Sequence, residues 1–583
     1  MSSFYHTIPS LLQQLQAEAE ALQFEGGRLQ QFFAVWETLT SDPEILQLVR
    51  GAHLEFDDTE FPSSSSPQPH LNKSEMAIID AEIVKLSRKN VISKCEHSPD
   101  QYLSPVFTRP KKDGTNRMIL NLKGLNSEIT YHHFKMDTLQ VALKLVTPFC
   151  FMSSIDLKDA YYSVPIAKHH RKFLRFSWRG QLWQFDSMLN GLALAPRKFT
   201  KLLKPVLAKL REEGHVSTSF LDDSLLLSDS EAESVQNVQA TVQLFRSLGF
   251  IIHPDKSVLE PTQQIQYLGV AIDSRDMSVR LTAERKCNLK DSCNKLLKAR
   301  KLTIRDLAKV IGKVVASFTA VKYGPLYYRH LEENKKAALQ VAKGDYDSPV
   351  SITISARTEL HWWVDNVTTA SNDITPSDPD ITVASDASMS GWGCVCQEDR
   401  SGGLWLPAEA SFHINYLELK AAFFALQCFE TKISNKHARL LLDNSTAVAC
   451  INNMGTSHSV TCNQMAFSIW LWCRDRHVWV SAADAESRKI NLDAEWKLDK
   501  AVLEQALAQL QASSSIDLFA SRLNNQRRCY VSYRADPDAH AVDAFSLSWT
   551  VLEFYAFPPF SLITRVLQKV KRDRSTGVII VPS

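Results

Sequence analysis

The sequence predicts an α+β multidomain protein, on three observations. Its 583 residues exceed what one hydrophobic core organises, which sets an expectation of about three to five domains. Stretches with apolar residues at helical spacing alternate with short apolar runs bounded by Gly, Pro, Asp and Asn, so helices and strands are interleaved. Two separate series of carboxylates stand at the ends of such runs, the first within residues 156–223 and the second within 386–484. The 44% hydrophobic and 22% charged residues are those of an ordinary globular chain. A net charge of +2 leaves any nucleic-acid binding to local basic surfaces. The 11 cysteines form no paired CxxC module, which excludes a zinc ribbon and fits reduced thiols in the cytoplasm or nucleus. No basic stretch precedes an apolar core at the N-terminus, and no apolar run is long enough for a bilayer. Neither a secretion signal nor a membrane span is expected.

From the start of the chain, Leu11, Leu12 and Leu15, then Leu29, Phe32, Phe33 and Trp36, recur at helical spacing. Gly26-Gly27 breaks these helices and Asp42-Pro43 opens the next, so residues 8–50 read as a small helical cap. The run from Phe61 to Pro69 is Pro/Ser-rich and reads as a linker, followed by a helix from about Ser74 to Lys89. Residues 104–121 read as a β-hairpin with Asp113-Gly114 at its turn. Lys111, Lys112 and Arg117 crowd its tip, which suits either a triphosphate or a solvated basic turn. An apolar strand ends at Asp156, and Asp159-Ala-Tyr-Tyr162 begins a helical turn. A glycine-containing loop at Gly191 precedes a helix near Pro196. Thr218–Ser228 reads as strand, tight acidic turn and strand, with Asp222 and Asp223 adjacent. Two like charges held together suit a divalent cation, though aspartate also favours turns for local reasons.

The ordered set KKDGTNR, SSIDLKDAYYSVP, LNGLALAP, FLDD, GFIIHPDKS and YLG resembles the fingers and palm of retroelement reverse transcriptases over roughly residues 100–275. Six motifs in the family's order are far more specific than any one of them. The resemblance implies a right-hand polymerase fold with fingers, palm and thumb. It implies that Asp156, Asp222 and Asp223 hold two Mg²⁺ ions, with Mn²⁺ as the alternative, about 3.5–4 Å apart. One ion would activate the primer 3′-hydroxyl; the other would clamp the triphosphate. By the same resemblance Lys111 and Arg117 contact the incoming phosphates, and Tyr161 excludes a ribose 2′-hydroxyl. Asn190-Gly191 stands where relatives carry Phe-Gly or Gln-Gly. Residues 281–336 hold fourteen Lys/Arg against five Asp/Glu, as suits a thumb gripping a duplex backbone or a solvated helix bundle.

After a connector, Asp386 ends a strand before a Gly-rich turn, Glu418 rides an amphipathic helix, and Asp443 follows the short strand Leu440–Leu442. This order resembles the RNase H fold, whose two-metal chemistry directs water at an RNA phosphodiester. The integrase branch of that superfamily fits less well after a polymerase. Asp484 would be the last metal ligand. Relatives place a His-Ile/Val-Pro-Gly loop before it, whereas here Val478–Ser481 runs nearly straight into Ala483-Asp484. The missing loop is expected to draw Asp484 off its helix.

The tail carries IDLFASR from Ile516, VDAFSLSW from Val542, YAFPPF from Tyr555 and a final apolar strand. It is similar to the phage-type adenine-N6 methyltransferase segment of DIRS-type retrotransposons, which carry a tyrosine recombinase. The Gly26-Gly27-Arg28-Leu29 region and Glu495-Trp496 also look like that group. Active relatives place a polar residue before Pro-Pro; Phe557 here cannot hydrogen-bond, so the tail reads as a structural remnant. Neither a recombinase module nor an aspartic protease signature is present, as in the reverse transcriptase and RNase H portion of such an element.

The expected division is a helical segment at 1–60, a linker at 61–73, fingers and palm at 74–275 and a helical thumb at 276–345. A connector at 346–380, an RNase H-like α/β domain at 381–500 and a partial methyltransferase-like α/β tail at 501–583 complete it. The expected function is RNA-directed DNA polymerisation with degradation of the RNA in RNA–DNA hybrids. The partners would be an RNA template, a DNA primer and deoxynucleoside triphosphates. The alternative is a decayed or co-opted copy that binds nucleic acid without catalysis.

Overall fold

The structure is a computed structural model that describes residues 7–21, 23–56, 68–110, 116–374, 378–456, 458–484, 497–521, 524–533, 539–559 and 562–581. Lys111, the Asp113-Gly114 turn and Glu495-Trp496 lie outside them. The chain forms two compact units, Met1–Ser377 and Asp378–Ser583. No helix among the described residues is long and apolar enough to cross a membrane.

In the first unit the helices Thr7–Ala21, Phe33–Leu39 and Pro43–Arg50 follow the expected pattern. Asp42 caps the last of them by accepting from the Glu44 amide at 2.8 Å. These helices are not a detached cap. Ile8, Leu29, Trp36 and Leu48 lie in one continuous core with Phe199, Phe245 and Phe250. Trp36 is fully buried, donates from Nε1 to the Leu248 carbonyl at 3.0 Å, and meets Phe250 edge-on. Trp36→Ala is expected to cost about 3–5 kcal/mol of unfolding free energy, measurable by denaturant titration.

The centre of this unit is a four-stranded antiparallel sheet in the order Val216–Phe220, Asp223–Ser228, Phe151–Asp156, Val258–Thr262. Helices Ala195–Glu212 and Glu231–Ser247 pack against it. Leu225, Leu226 and Leu227 are all buried, so this strand reads as a continuous apolar run rather than an alternating one. The hairpin Val106–Pro110 with Asn116–Leu120 forms as expected.

Two expected boundaries need correction. The thumb region does not begin as helix: Ser278–Leu281 is a strand, and helices Ala283–Lys298, Ile304–Val315 and Arg329–Val341 follow it. Its period-2 signal covers only four residues. Residues 346–380 are also more than a connector. They contribute Asn372–Asp373 as a strand beside Ser278–Val279, and helix Ile354–Asn366, which packs on Ala283–Lys298. Fully buried Trp363 locks that helix, its Nε1 donating to the Tyr327 carbonyl at 2.7 Å.

The second unit holds two sheets. One runs Asp399–Leu404, Gly391–Cys396, Ile381–Ala387, His437–Leu442, Trp479–Asp484, its first three strands antiparallel and its last two joined in parallel. The other is parallel throughout, in the order Ala541–Val542, Cys529–Ser532, Ile516–Asp517, Phe554–Ala556, Gly577–Ile579. By chain position these strands stand third, second, first, fourth and fifth. The winding therefore reverses between Ile516–Asp517 and Phe554–Ala556.

Two candidate carboxylate centres

The acidic hairpin closes on the pair Phe220 and Asp223, which leaves a two-residue turn, Leu221-Asp222. Leu221 sits at φ 57°, in the left-handed region that glycine or asparagine ordinarily fills. The turn is strained in order to hold its register. That register sets Asp223 directly opposite Asp156 on the neighbouring strand. Backbone bonds fix both ends, Leu157 N donating to the Asp222 carbonyl at 3.0 Å and His253 N to the Asp156 carbonyl at 2.8 Å.

Asp156 and Asp223 face one another across the paired strands, close enough for each carboxyl to act on the other's titration. Burial first, and then Asp222 and Asp156, push Asp223 up to about 6. Asp156 is also raised, by burial first, with Lys256 opposing and Asp222 adding to it. Carboxylates that resist ionising together are a donor set that a multivalent cation completes. Lys256 Nζ lies 3.9 Å from Asp156 Oδ2 and supplies part of that charge in the cation's absence.

Tyr161 packs its ring edge-to-face on Phe199 at 5.3 Å, and its hydroxyl is pushed up to about 12 by burial and then by Asp222. Its hydroxyl thus lies near enough to Asp222 to feel that charge. Gly191 sits at φ 92°, where a side chain is strained. Its loop is clamped by Asn126, whose Nδ2 donates to the Gly191 carbonyl at 2.8 Å while Oδ1 accepts from Ala193 N at 2.9 Å. Arg117 is exposed on the hairpin strand opposite Arg109, and its charge acts on Tyr162, next to Tyr161.

Sequence reasoning assigned no role to Lys256, Tyr267 or Asn126. Tyr267 donates from its hydroxyl to the Asp223 carbonyl at 3.2 Å. Lys256 and Tyr267 lie inside motifs that were recognised as GFIIHPDKS and YLG, so the signal was present without a partner to attach it to.

The second centre gathers Asp386, Glu418 and Asp443, whose ligand oxygens lie within 4.8 Å of one another. Strands Ile381–Ala387 and His437–Leu442 pair in parallel with Ala384 beside Leu441, so Asp386 and Asp443 each stand two residues on, at one sheet edge. Helix Ile414–Cys428 delivers Glu418 from below. Glu418 is 3% exposed, and burial followed by Asp443 and Asp386 pushes it up to about 7. Its Oε2 is buried with no hydrogen-bond partner among the described residues. An orphaned carboxylate oxygen facing two more carboxylates fits a divalent cation. Asp484 is the last residue of its strand, in register with Leu442. Its backbone thus reaches the same edge as Asp443; its side chain lies outside the described ones.

A third cluster, His53, His169 and His170, also brings its ring nitrogens within 4.8 Å. Two of its three rings already have a nitrogen engaged: Leu54 N donates to His170 Nδ1 at 2.7 Å, and Gln47 Nε2 lies 3.1 Å from His53 Nε2. A metal needs those lone pairs, so the cluster is a packed aromatic stack.

Residues 109–272 match the family described as reverse transcriptase (RNA-dependent DNA polymerase). The matched stretch contains Asp156, Asp222 and Asp223. The chain is similar to the Transposon Tf2-3 polyprotein of Schizosaccharomyces pombe, 27% identical over 171 residues, or 29% of this chain and 13% of that polyprotein. The Transposon Tf2-7 polyprotein of the same organism is 26% identical over the same shares. The chain spans 13% of the length of these relatives. Among solved structures, a foamy viral protease-reverse transcriptase in complex with RNA/DNA hybrid aligns with TM-score 0.48 and 15% identity, over 78% of this chain and 63% of that one. The dRH form of that protein with ds DNA aligns with TM-score 0.48 and 15% identity, over 80% and 83%.

Proposed function

We propose that the chain is an RNA-directed DNA polymerase from a retroelement, carrying a ribonuclease H-like second centre. The observation that carries the reading is Asp156 facing Asp223 across paired strands, inside the stretch that matches the reverse transcriptase family. Asp156, Asp222 and Asp223 would hold the divalent cations, Mg²⁺ or Mn²⁺. When bound, these cations supply charge neutralisation and Lewis acidity for nucleotidyl transfer. The chain's own residues do the positioning. Lys256 balances the acidic pair, and Tyr267 and His253 hold its backbone. Asn126 keeps the Gly191 loop in its left-handed turn beside the nucleotide path. Arg117, with Lys111, would meet the triphosphate. An RNA template, a DNA primer and deoxynucleoside triphosphates are the substrates this reading requires.

Tyr161 is the sugar gate in this reading, because its half-buried ring is pinned against Phe199. Tyr161→Val is expected to raise ribonucleotide over deoxyribonucleotide incorporation by roughly tenfold or more, scored by primer extension with separate nucleotide pools. The parent experiment is extension of a DNA primer on poly(rA) with Mg²⁺ or Mn²⁺. Folded protein that binds the duplex yet extends nothing with either ion would overturn the polymerase reading in favour of a non-catalytic copy.

The second centre, Asp386, Glu418 and Asp443 with Asp484 at the same sheet edge, suits hydrolysis of RNA within RNA–DNA hybrids. For the tail, the reversed strand order supports the methyltransferase-like reading and with it the DIRS-type assignment. Asp517 and Tyr555 pair across the switch point. Phe557, however, packs against the cluster of Leu503, Leu507, Tyr555 and Val578 and brings no polar group after its strand, so the tail's role is structural.

A further inference from the structure

A cavity of about 450 Å³ opens between helix Thr7–Ala21 and helix Glu231–Ser247, lined by none of the candidate carboxylates. Its walls are mostly apolar, from Leu15, Ala19, Phe32, Phe250 and Ile251. Two charged residues in the wall cancel, since Arg246 is ion-paired with Glu18. Arg28 is left over. Its Nε is buried and has no hydrogen-bond partner among the described residues. Its guanidinium contacts the Phe32 ring, 5.6 Å from the centroid, and burial holds its pKa below the ordinary value, with only Glu25 opposing. A half-buried guanidinium whose Nε lacks an acceptor is costly, and its planar fork is shaped for a carboxylate. The volume lies in the range of small-molecule sites, which are mostly apolar with a few placed polar groups.

We propose that this cavity binds a small carboxylate with an apolar body, seated on Arg28, and that its occupancy acts on the strand that carries Asp156. The coupling has a short covalent and hydrogen-bonded path. Ile251 and Ile252 line the cavity on one side, and on the other Lys158 N donates to the Ile251 carbonyl at 2.8 Å. Ile252 bridges to Leu157, and the next residue, His253, donates to the Asp156 carbonyl. A ligand that presses on Ile251 and Ile252 therefore bears on the segment that fixes Asp156. The binding half stands on the cavity alone; the regulatory half rests on the polymerase reading.

The probe is octanoate, with 1-octanol as its uncharged counterpart, titrated against the full chain by calorimetry and thermal unfolding. Octanoate is expected to bind and raise the Tm, and octanol to bind at least about tenfold more weakly. Arg28→Met is expected to give a ligand-free Tm no lower than the wild type, because Nε has no partner to lose, and to weaken octanoate at least about tenfold. Ala19→Trp, which fills the cavity, is expected to abolish the binding of both. Equal binding of octanol and octanoate, or unchanged octanoate affinity in the two variants, would overturn the site. In primer extension octanoate is expected to lower kcat without raising KM for nucleotide. Intact binding with unchanged kcat would overturn the coupling and leave the site. Absence of extension in the unliganded protein would overturn the polymerase reading, while the calorimetry still decides the binding.

Discussion

Asp222→Asn is expected to reduce primer extension about a thousandfold or more, because on the proposed reading it removes one of the three carboxylates that would hold the cations. The same change is expected to stabilise the cation-free protein. Asp222 is one of the charges that raises Asp223 to about 6 and also lifts Asp156. A carboxyl whose folded value lies above its unfolded one, near 3.9, contributes stability in full below about pH 4. That contribution is lost as pH rises through about 6. At pH 7.5 the wild type therefore carries the whole cost of ionising the pair. Thermal unfolding in EDTA is expected to give Asp222→Asn a Tm higher by about 1–3 °C at pH 7.5, converging with wild type near pH 4. Added Mg²⁺ is expected to narrow the difference by stabilising the wild type more. A variant that extends primers normally, or that is less stable than wild type at pH 7.5, would refute the assignment of Asp222.

Asp443→Asn is expected to abolish cleavage of a labelled RNA–DNA hybrid, by about a hundredfold or more, and to leave primer extension unchanged. The two proposed activities are expected to be separable because the two acidic clusters are built in different compact units. Glu418 adds a pH dependence. Its folded value of about 7 means that protons compete with a cation for the site at neutral pH. At limiting metal, hybrid cleavage is expected to climb from pH 6 to 8, and to flatten at saturating metal. Cleavage that persists in Asp443→Asn would place the hydrolytic centre elsewhere.

Local pattern carried much of the architecture. The acidic hairpin, the strand ending at Asp156 and the helix bearing Glu418 each sit where period and turn chemistry put them, because each is specified within about ten residues. What sequence left obscure is what long-range packing decides. Helix Ile354–Asn366 carries Trp362 and Trp363 without a clean apolar stripe, and packing on Tyr327, Ala283–Lys298 and Arg329–Val341 gives it a place. Asn126 faces its partner across 65 residues of chain and nothing local marks it, while Lys256 stands in a motif whose sequence does not show that Asp156 is its partner. The strained Leu221 likewise has no sequence signal, since leucine there contradicts the turn's usual chemistry. Such contradictions collect at functional sites.

The burial of Trp36 against Leu248 and Phe250 also redraws where this protein can be cut. The Pro/Ser-rich run after Phe61 looks like the natural seam for trimming an expression clone. A fragment begun beyond it would leave Phe245, Leu248 and Phe250 without the indole that covers them, on the back of the sheet that carries the acidic hairpin. The covalent seam and the physical one do not coincide: the first helices are the lid of the polymerase-like core rather than its leader.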